Sequence, residues 1–326
     1  MKKHLLPENG QFYKANLHSH STVSDGKLTP AEMKELYKEK GYAILAFTDH
    51  CWFRTHNELT DADFLALNGY EMDIAEKGSG NSRQRRTCHV CFIAGTPERD
   101  TRPENHDHIC DETPGFVKEY SVECLSEMME AGRREGFFVT YNHPVWSQET
   151  REQYCAYHGM HAMEICNFGS YNSGYPEYNA AIYDEMLCAG RRIGCIGADD
   201  NHNDAKRDSR AWDSFGAWTM IKAERLDYPS VMAALLRGDY YASQGPKIYA
   251  LWIEGNRLHV ECSAADRVYI NTAYQYASCV WDEDGSGVTH AAFTVIPEFG
   301  YVRVTVEDQR GRHADTRAYF IDELLD

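Results

Sequence analysis

Nine residues spread between positions 18 and 202 belong to two chemical types, imidazole and carboxylate, that together hold divalent metal ions. His18 and His20 stand in Asn16-Leu17-His18-Ser19-His20. Positions i and i+2 of a strand share a face, so both rings can point at one ion. Asp25 follows in Ser24-Asp25-Gly26. His50 closes Thr48-Asp49-His50 after the run Ala-Ile-Leu-Ala-Phe, where charge is costly to desolvate unless ligated or paired. Glu71 comes after Asn68-Gly69-Tyr70, His89 opens another β-rich run, and His143 lies in Tyr141-Asn142-His143-Pro144. Asp200-Asn201-His202 repeats the i, i+2 spacing, and of the doubled Asp199-Asp200 we take Asp200 because it stands two before His202. Any one of these histidines reads as a hydrogen-bonded structural residue. Six of them with three carboxylates, at the ends of seven strands or their loops, read as a metal centre. Mixed nitrogen and oxygen donors suit Zn²⁺, Mn²⁺ or Fe²⁺ rather than Mg²⁺ or Ca²⁺. Nine donors exceed one coordination sphere, so two or three divalent ions are expected.

Bringing such donors together requires strands whose ends meet. Strand-like runs at 12–17, 43–48, 69–74, 89–94, 137–141, 162–166, 193–197 and 217–221 alternate with helical patterns at 30–40, 122–135, 179–191 and 228–236. Thr29 before Pro30, with Glu32 in the first turn, reads as a helix start. The alternation predicts an α/β fold with a parallel sheet or barrel. A barrel is favoured because ligand-type residues recur at the C-terminal ends of so many strands. After Gly245-Pro246 the pattern changes to short alternating runs at 250–253, 257–262, 268–271, 291–296 and 301–307, punctuated by turns such as Glu254-Gly255-Asn256. The expected organisation is a barrel over residues 1–245 and a small all-β sandwich over 246–326. Segments 78–87 and 98–115 read as insertions on the barrel's active face.

A chain of 326 residues, 43% hydrophobic, can bury a core of that size. Its net charge of −17 argues against a duplex nucleic-acid partner, which needs clustered Lys and Arg. No apolar run approaches the ~20 residues that span a bilayer, so no membrane association is expected. Met1-Lys2-Lys3 has the charge of a signal peptide, but Leu5-Leu6 runs straight into Pro7-Glu8-Asn9-Gly10. Eleven scattered cysteines, several in apolar runs, fit thiols in a reducing cytoplasm better than a disulfide framework.

The ordered set His-x-His, Asp, Thr-Asp-His, Glu, His, Asn-His-Pro and Asp-x-His resembles the polymerase-and-histidinol-phosphatase (PHP) family over roughly residues 12–245. The resemblance implies a distorted seven-stranded (β/α) barrel with a di- or trinuclear site. It implies that His18, His20, Glu71 and Asp200 hold a first metal, and that Glu71 bridges to a second shared with His89 and His143. Asp25, His50 and His202 would hold a third, with Asp25 standing where many relatives have His. The segment Gly238-Asp239-Tyr240-Tyr241-Ala242-Ser243-Gln244-Gly245-Pro246, running into β-rich sequence, is similar to a two-domain branch that includes predicted phosphoesterases and carbamate hydrolases.

The expected activity is hydrolysis of a small-molecule phosphate ester by a metal-activated hydroxide, with Glu71 and Asp200 as the catalytic carboxylates. Arg207 and Arg210, just after Asp200-x-His202, are the candidates to clamp the substrate phosphate; Arg83, Arg85 and Arg86 read as solvated charges. The rival chemistry is hydrolysis of a carbamate, ester or amide, with Trp52, Phe53, Trp146 and Tyr171 as aromatic walls. A non-catalytic binding module is the third reading, and the full donor set argues against it. Glu164 and Asn167, after an apolar run, are candidates to support the ligands from behind. Cys88-x-x-Cys91 brackets His89 and reads as core, and His106-Asp107-His108 as a surface loop.

Overall fold

A computed structural model describes residues 2–78, 85–99 and 116–325 as a mixed α/β protein. After a short β1 (Lys2–His4), the central sheet takes in β2 (Gln11–Asn16), β3 (Ile44–Phe47), β4 (Leu65–Ala75), β5 (Thr87–Ala94), β6 (Phe137–Tyr141), β7 (Ala162–Asn167) and β8 (Gly194–Ala198). These seven lie side by side in chain order, while β9 (Trp218–Ala223) flanks β2 on its other edge, followed by β10 (Tyr240–Ser243). The order is that of a barrel-like sheet. Helices α1 (Pro30–Glu39), α2 (Val122–Arg134), α3 (Arg151–Ala156), α4 (Phe168–Asn172), α5 (Ala180–Cys188) and α6 (Tyr228–Arg237) connect the strands. All four residues of β3 and all five of β6 are buried, as in a sheet covered on both faces.

Helix α1 shows how local sequence sets an element. The Thr29 hydroxyl accepts from the Glu32 amide, and the Glu32 carboxylate accepts the Thr29 N–H at 2.8 Å, a reciprocal cap. Gly41, at φ +76°, lets the chain turn out of the helix. Met33 and Tyr37 are buried with Leu45 and Phe47 of β3.

The sheet departs from the expected parallel arrangement. Pairs β2–β3, β3–β4, β6–β7 and β7–β8 are parallel, but β4–β5 and β5–β6 are antiparallel. Only residues 76–86 join β4 to β5, too short a stretch for the helical crossover that parallel neighbours require.

The C-terminal region carries β11 (Ile248–Glu254), β12 (Arg257–Ala265), β13 (Arg267–Thr272), β14 (Ser278–Trp281), β15 (Val288–Thr294), β16 (Tyr301–Glu307), β17 (His313–Thr316) and β18 (Tyr319–Phe320). β1, β11, β12 and β15 form a four-stranded sheet. Its inward residues, including Leu251, Ile253 and Val260, share a core with Val268, Ile270, Val304 and Val306. The ladder β10–β17 joins this region to the central sheet. The buried Arg303 reinforces the junction, reaching Asp184 of α5 at 2.6 Å and Asp315 of β17 at 3.3 Å. Among the described residues no helix is long and apolar enough to cross a membrane, and the ten described cysteines are free thiols. His106, Asp107 and His108 lie outside the described residues, as does most of the two presumptive insertions.

Candidate metal centre

The donors gather at one end of the central strands. His18 and His20 follow β2, His50 follows β3, His143 follows β6, and Asp200 and His202 follow β8. Glu71 and His89 sit within β4 and β5. Backbone pairing brings the ends together: His50 is bridged to Glu71, Ser19 to Asn201, and the Asp200 N–H donates to the His18 carbonyl at 3.0 Å. His143 and Asp200 take positive φ values of 26° and 51°, unusual for residues with a side chain and most so before Pro144. The surroundings hold this strain: the His143 N–H donates to Glu164 Oε2 at 3.1 Å.

Glu71 lies at the middle and is fully buried. Its Oε1 is 3.1 Å from both His18 Nε2 and His89 Nδ1, and 3.4 Å from His143 Nε2. Its Oε2 is 3.0 Å from His50 Nδ1 and 3.5 Å from His20 Nε2. Asp200 Oδ1 is 3.0 Å from His20 Nε2 and 3.2 Å from His18 Nε2. At the open side, Asp25 Oδ2 is 3.5 Å from His202 Nε2 and 3.8 Å from His50 Nε2.

Partners behind the rings fix which nitrogen faces inward. His18 Nδ1 lies 2.7 Å from Glu164 Oε1, and an ionised carboxylate only accepts, so Nδ1 carries a proton and, once the ring is neutral, Nε2 is the nitrogen that offers a lone pair. His202 Nδ1 is 3.2 Å from the Asp200 carbonyl, with the same consequence. Asn142 donates to Glu71 Oε1 at 3.0 Å, and Asn167 spans Glu164 at 2.8 Å and Asp200 at 3.1 Å.

Burial disfavours every charge here, and neighbouring charges overcome it at Glu71 and His143 but not at His20. His18, His89 and His50 hold the Glu71 carboxyl well below its ordinary range despite desolvation. Desolvation likewise opposes an imidazolium at His143, but Glu71 and Asp200 raise it to about 9. His20, desolvated and flanked by His202 and His50, is driven down to about 4. The negative potential that draws protons to such a site also draws cations, and metal binding releases those protons.

Among the described residues four buried atoms of the cluster lack a well-directed hydrogen bond, even where nitrogen and oxygen stand 3.0–3.1 Å apart: His20 Nδ1, His50 Nδ1, His89 Nδ1 and Glu71 Oε2. Orphaned polar atoms in a native interior call for an explanation. Two donors each ~2.1 Å from one ion stand about 3.0–3.5 Å apart, the spacing that surrounds Glu71. Divalent metal therefore fits the residues present. Donor atoms converge in four groups: His20, Asp25, His50 and His202; His18, His143 and Asp200; His50, Glu71 and His89; and His18, Glu71 and Cys91.

The PHP domain family model matches residues 16–189, more than half of the chain. The chain belongs to the PHP domain family. Over 92 residues it is 39% identical to the DNA polymerase/3'-5' exonuclease PolX of Bacillus subtilis, covering 23% of this chain. The match takes in 16% of that relative, so the chain spans only a small part of its length. Among solved structures, it is similar to a two-domain protein from Bacteroides vulgatus containing a predicted PHP-like metal-dependent phosphoesterase. That pair shares 14% identity with a TM-score of 0.46, covering 99% of this chain and 91% of the other. An amidohydrolase from Chromobacterium violaceum with bound sulfate is 19% identical with a TM-score of 0.37, covering 58% of this chain and 87% of that one.

Within this PHP domain, His20 Nε2 lies 3.0 Å from Asp200 Oδ1 and 3.1 Å from His18 Nε2, beside the donors with which the family resemblance grouped it. Its ring also packs 4.3 Å from those of His50 and His202, and its donor atoms converge with theirs and with Asp25 as well. His50 also reaches Glu71, since the two are bridged neighbours on adjacent strands. Asp199 turns away from the cluster and accepts the backbone N–H groups of Phe215, Gly216 and Ala217. Asp49, in Thr48-Asp49-His50, accepts from Ser21 and Ser24 and pins the loop that carries Asp25.

The arginines expected to clamp substrate are placed otherwise. Arg207 is exposed and paired with Glu39 of α1 at 2.6 Å, and Arg210 is exposed with no ion pair to the cluster. Both stand in a polar loop whose direction short-range sequence does not set. Phe53 is buried in the core against Tyr70, so it forms no wall of the site. Trp146 does, with its ring 5.3 Å from His89 and 5.0 Å from His143. Cys88 and Cys91, both expected in the core, are both buried but face different surroundings. Cys88 joins the apolar core, whereas Cys91 faces Glu71 across the β4–β5 ladder and lies within the donor cluster. The available signal was its i, i+2 spacing from His89.

Proposed function

We propose that this chain is a phosphoesterase that hydrolyses a small-molecule phosphate ester with two or three divalent ions, Zn, Mn or Fe. The carrying observation is Glu71, a buried carboxylate with imidazole nitrogens at 3.0–3.1 Å on both oxygens, one of which lacks a well-directed hydrogen bond among the described residues. The donors would be His18, His20, Asp25, His50, Glu71, His89, His143, Asp200 and His202. Bound there, the ions would supply Lewis acidity and a water of lowered pKa. Three ions would outweigh the charges of Asp25, Glu71 and Asp200, leaving a positive pocket suited to a phosphate dianion. Glu164 orients His18, and Asn142 and Asn167 hold the Glu71 and Asp200 carboxylates. A cavity of about 500 Å³ beside His89 and Trp146, also lined by Arg85 and Tyr175, is the entry we favour for substrate. Arg85 is thus a better candidate than Arg207 or Arg210 to meet the phosphate. The fold reading that accompanies this is a seven-stranded barrel over residues 1–245, supported by the hydrogen bonds from the end of β8 to that of β2, with 246–326 as a β-sandwich.

One observation favours hydrolysis of an aryl carbamate or ester instead: Trp146 stands edge-on to two donor histidines and is 39% exposed, an aromatic wall for an uncharged substrate. The deciding experiment measures metal content and turnover of phosphate mono- and diesters and aryl carbamates. A phosphoesterase turns over the phosphate esters and is inhibited competitively by inorganic phosphate. Turnover of carbamates alone, with millimolar phosphate harmless, would replace it with the rival.

A further inference from the structure

At the opposite end of the strands a second cavity, about 260 Å³, opens where β7, β8 and β10 begin. Arg133, Arg192, Arg237 and Arg317 line it, against a single lining carboxylate, Glu323. In a chain of net charge −17 this is a local reversal of sign. Four like charges sharing one small cavity repel one another unless carboxylates or a bound anion offset them.

The guanidiniums are only partly committed. Arg192 pairs with Asp322 at 2.9 Å, Arg237 with Asp239 at 2.7 Å and Arg317 with Glu323 at 2.8 Å. Among the described residues Arg133 has no ion-pair partner. Arg317 Nε is buried with no hydrogen-bond partner. A Cβ on Gly238 would stand 2.6 Å from the Arg317 side chain, so the glycine is what lets this arginine lie against the end of α6. His161 adds a neutral donor. Its Nδ1 accepts the Val139 N–H at 3.0 Å, which leaves the proton on Nε2. Burial and then Arg133 push its pKa down to about 4, so it stays neutral at physiological pH.

We propose that this cavity is a second binding site, independent of the metals, for a small anion bearing two or more phosphate-type charges. Planar guanidinium forks match phosphate oxygens in pairs, and four of them around one small cavity can donate to several oxygens at once, even though Asp322, Asp239 and Glu323 offset three of the four charges. The small volume excludes a polymer. A strand of five or six residues separates it from the metal centre, roughly 15 Å or more.

The test is calorimetric titration of pyrophosphate into the full chain as purified, with acetate as the monoanion control. Arg133 and Arg192 are exposed, so Arg133→Ala and Arg192→Ala should keep the wild-type melting curve. Each should weaken pyrophosphate binding by roughly tenfold or more, the loss of a charge-assisted hydrogen bond. Arg133→Lys should retain part of it, and Glu71→Gln, which damages the metal centre, should leave this component intact. Absence of binding to the wild type, acetate binding as tightly as pyrophosphate, or binding lost in Glu71→Gln and kept in Arg133→Ala would each overturn the assignment.

Discussion

Replacing Glu164 by Gln removes a charge from behind the donor cluster while keeping the volume of the side chain. Glu164 is fully buried and accepts three hydrogen bonds: from His18 Nδ1 at 2.7 Å, the His143 N–H at 3.1 Å and Asn167 Nδ2 at 2.8 Å. All three of those partners are donors. A glutamine offers one acceptor and one donating NH₂, so either His18 changes tautomer or a pair becomes donor against donor. If the amide turns its NH₂ to His18, that ring must accept at Nδ1 and carry its proton on Nε2, where a metal would bind. If it turns its NH₂ to His143 and Asn167, the strained His143 backbone loses its anchor. Either way an inner ligand is misoriented, and disturbing such a supporting partner costs about 10–100-fold in metal affinity. At ~1.4 kcal/mol per decade that is about 1.4–2.8 kcal/mol per affected ion. The assay is metal retention against a graded chelator, with thermal unfolding run alongside. Glu164→Gln retaining metal like the wild type while unfolding at lower temperature would show that Glu164 serves the fold alone, and the tautomer reasoning would fail.

Three further outcomes are expected. Glu71→Ala should lose more metal than Asp25→Ala by elemental analysis, because Glu71 is buried among five imidazoles whereas the Asp25 side chain is 54% exposed; equal losses would count against Glu71 as a bridge. His143→Ala should abolish turnover yet keep cooperative unfolding, as read by activity and denaturant melts; loss of both together would mark the residue as structural. Burial raises the Glu149 carboxyl from 4.5 to about 7, against the opposing bonds from Tyr141, Tyr157 and Tyr120. Folding therefore takes up a proton between those values, so its contribution to stability falls as pH rises from about 4.5 to 7, by up to about 3 kcal/mol. Glu149→Gln should flatten that slope in melts at pH 5 and pH 8.

The residues that gather around Glu71 are legible in the sequence because ionisable groups at strand ends leave a local mark: a polar, ionisable residue set just past an apolar run, at i, i+2 spacing, has few other reasons to be there. Thr29 and Glu32 are legible for the same reason, since a cap is made within four residues. What escapes is decided across the chain. The antiparallel β5 follows from the short 76–86 link together with pairing partners dozens of residues away, and the run 89–94 by itself gives no direction. Cys91 looks like core until β4 lies beside β5 and sets it opposite Glu71. Phe53 and Trp146 are both aromatic residues near donors, yet one packs on Tyr70 and the other on His89, a choice made by tertiary packing. Long cations are the hardest case. Arg207 stands five residues from His202, but its flexible stem carries the charge to Glu39, while Arg85, read as a solvated charge, lines the cavity beside His89. Proximity in sequence places a backbone; where a guanidinium ends depends on which carboxylate or cavity lies within reach of its four-bond stem.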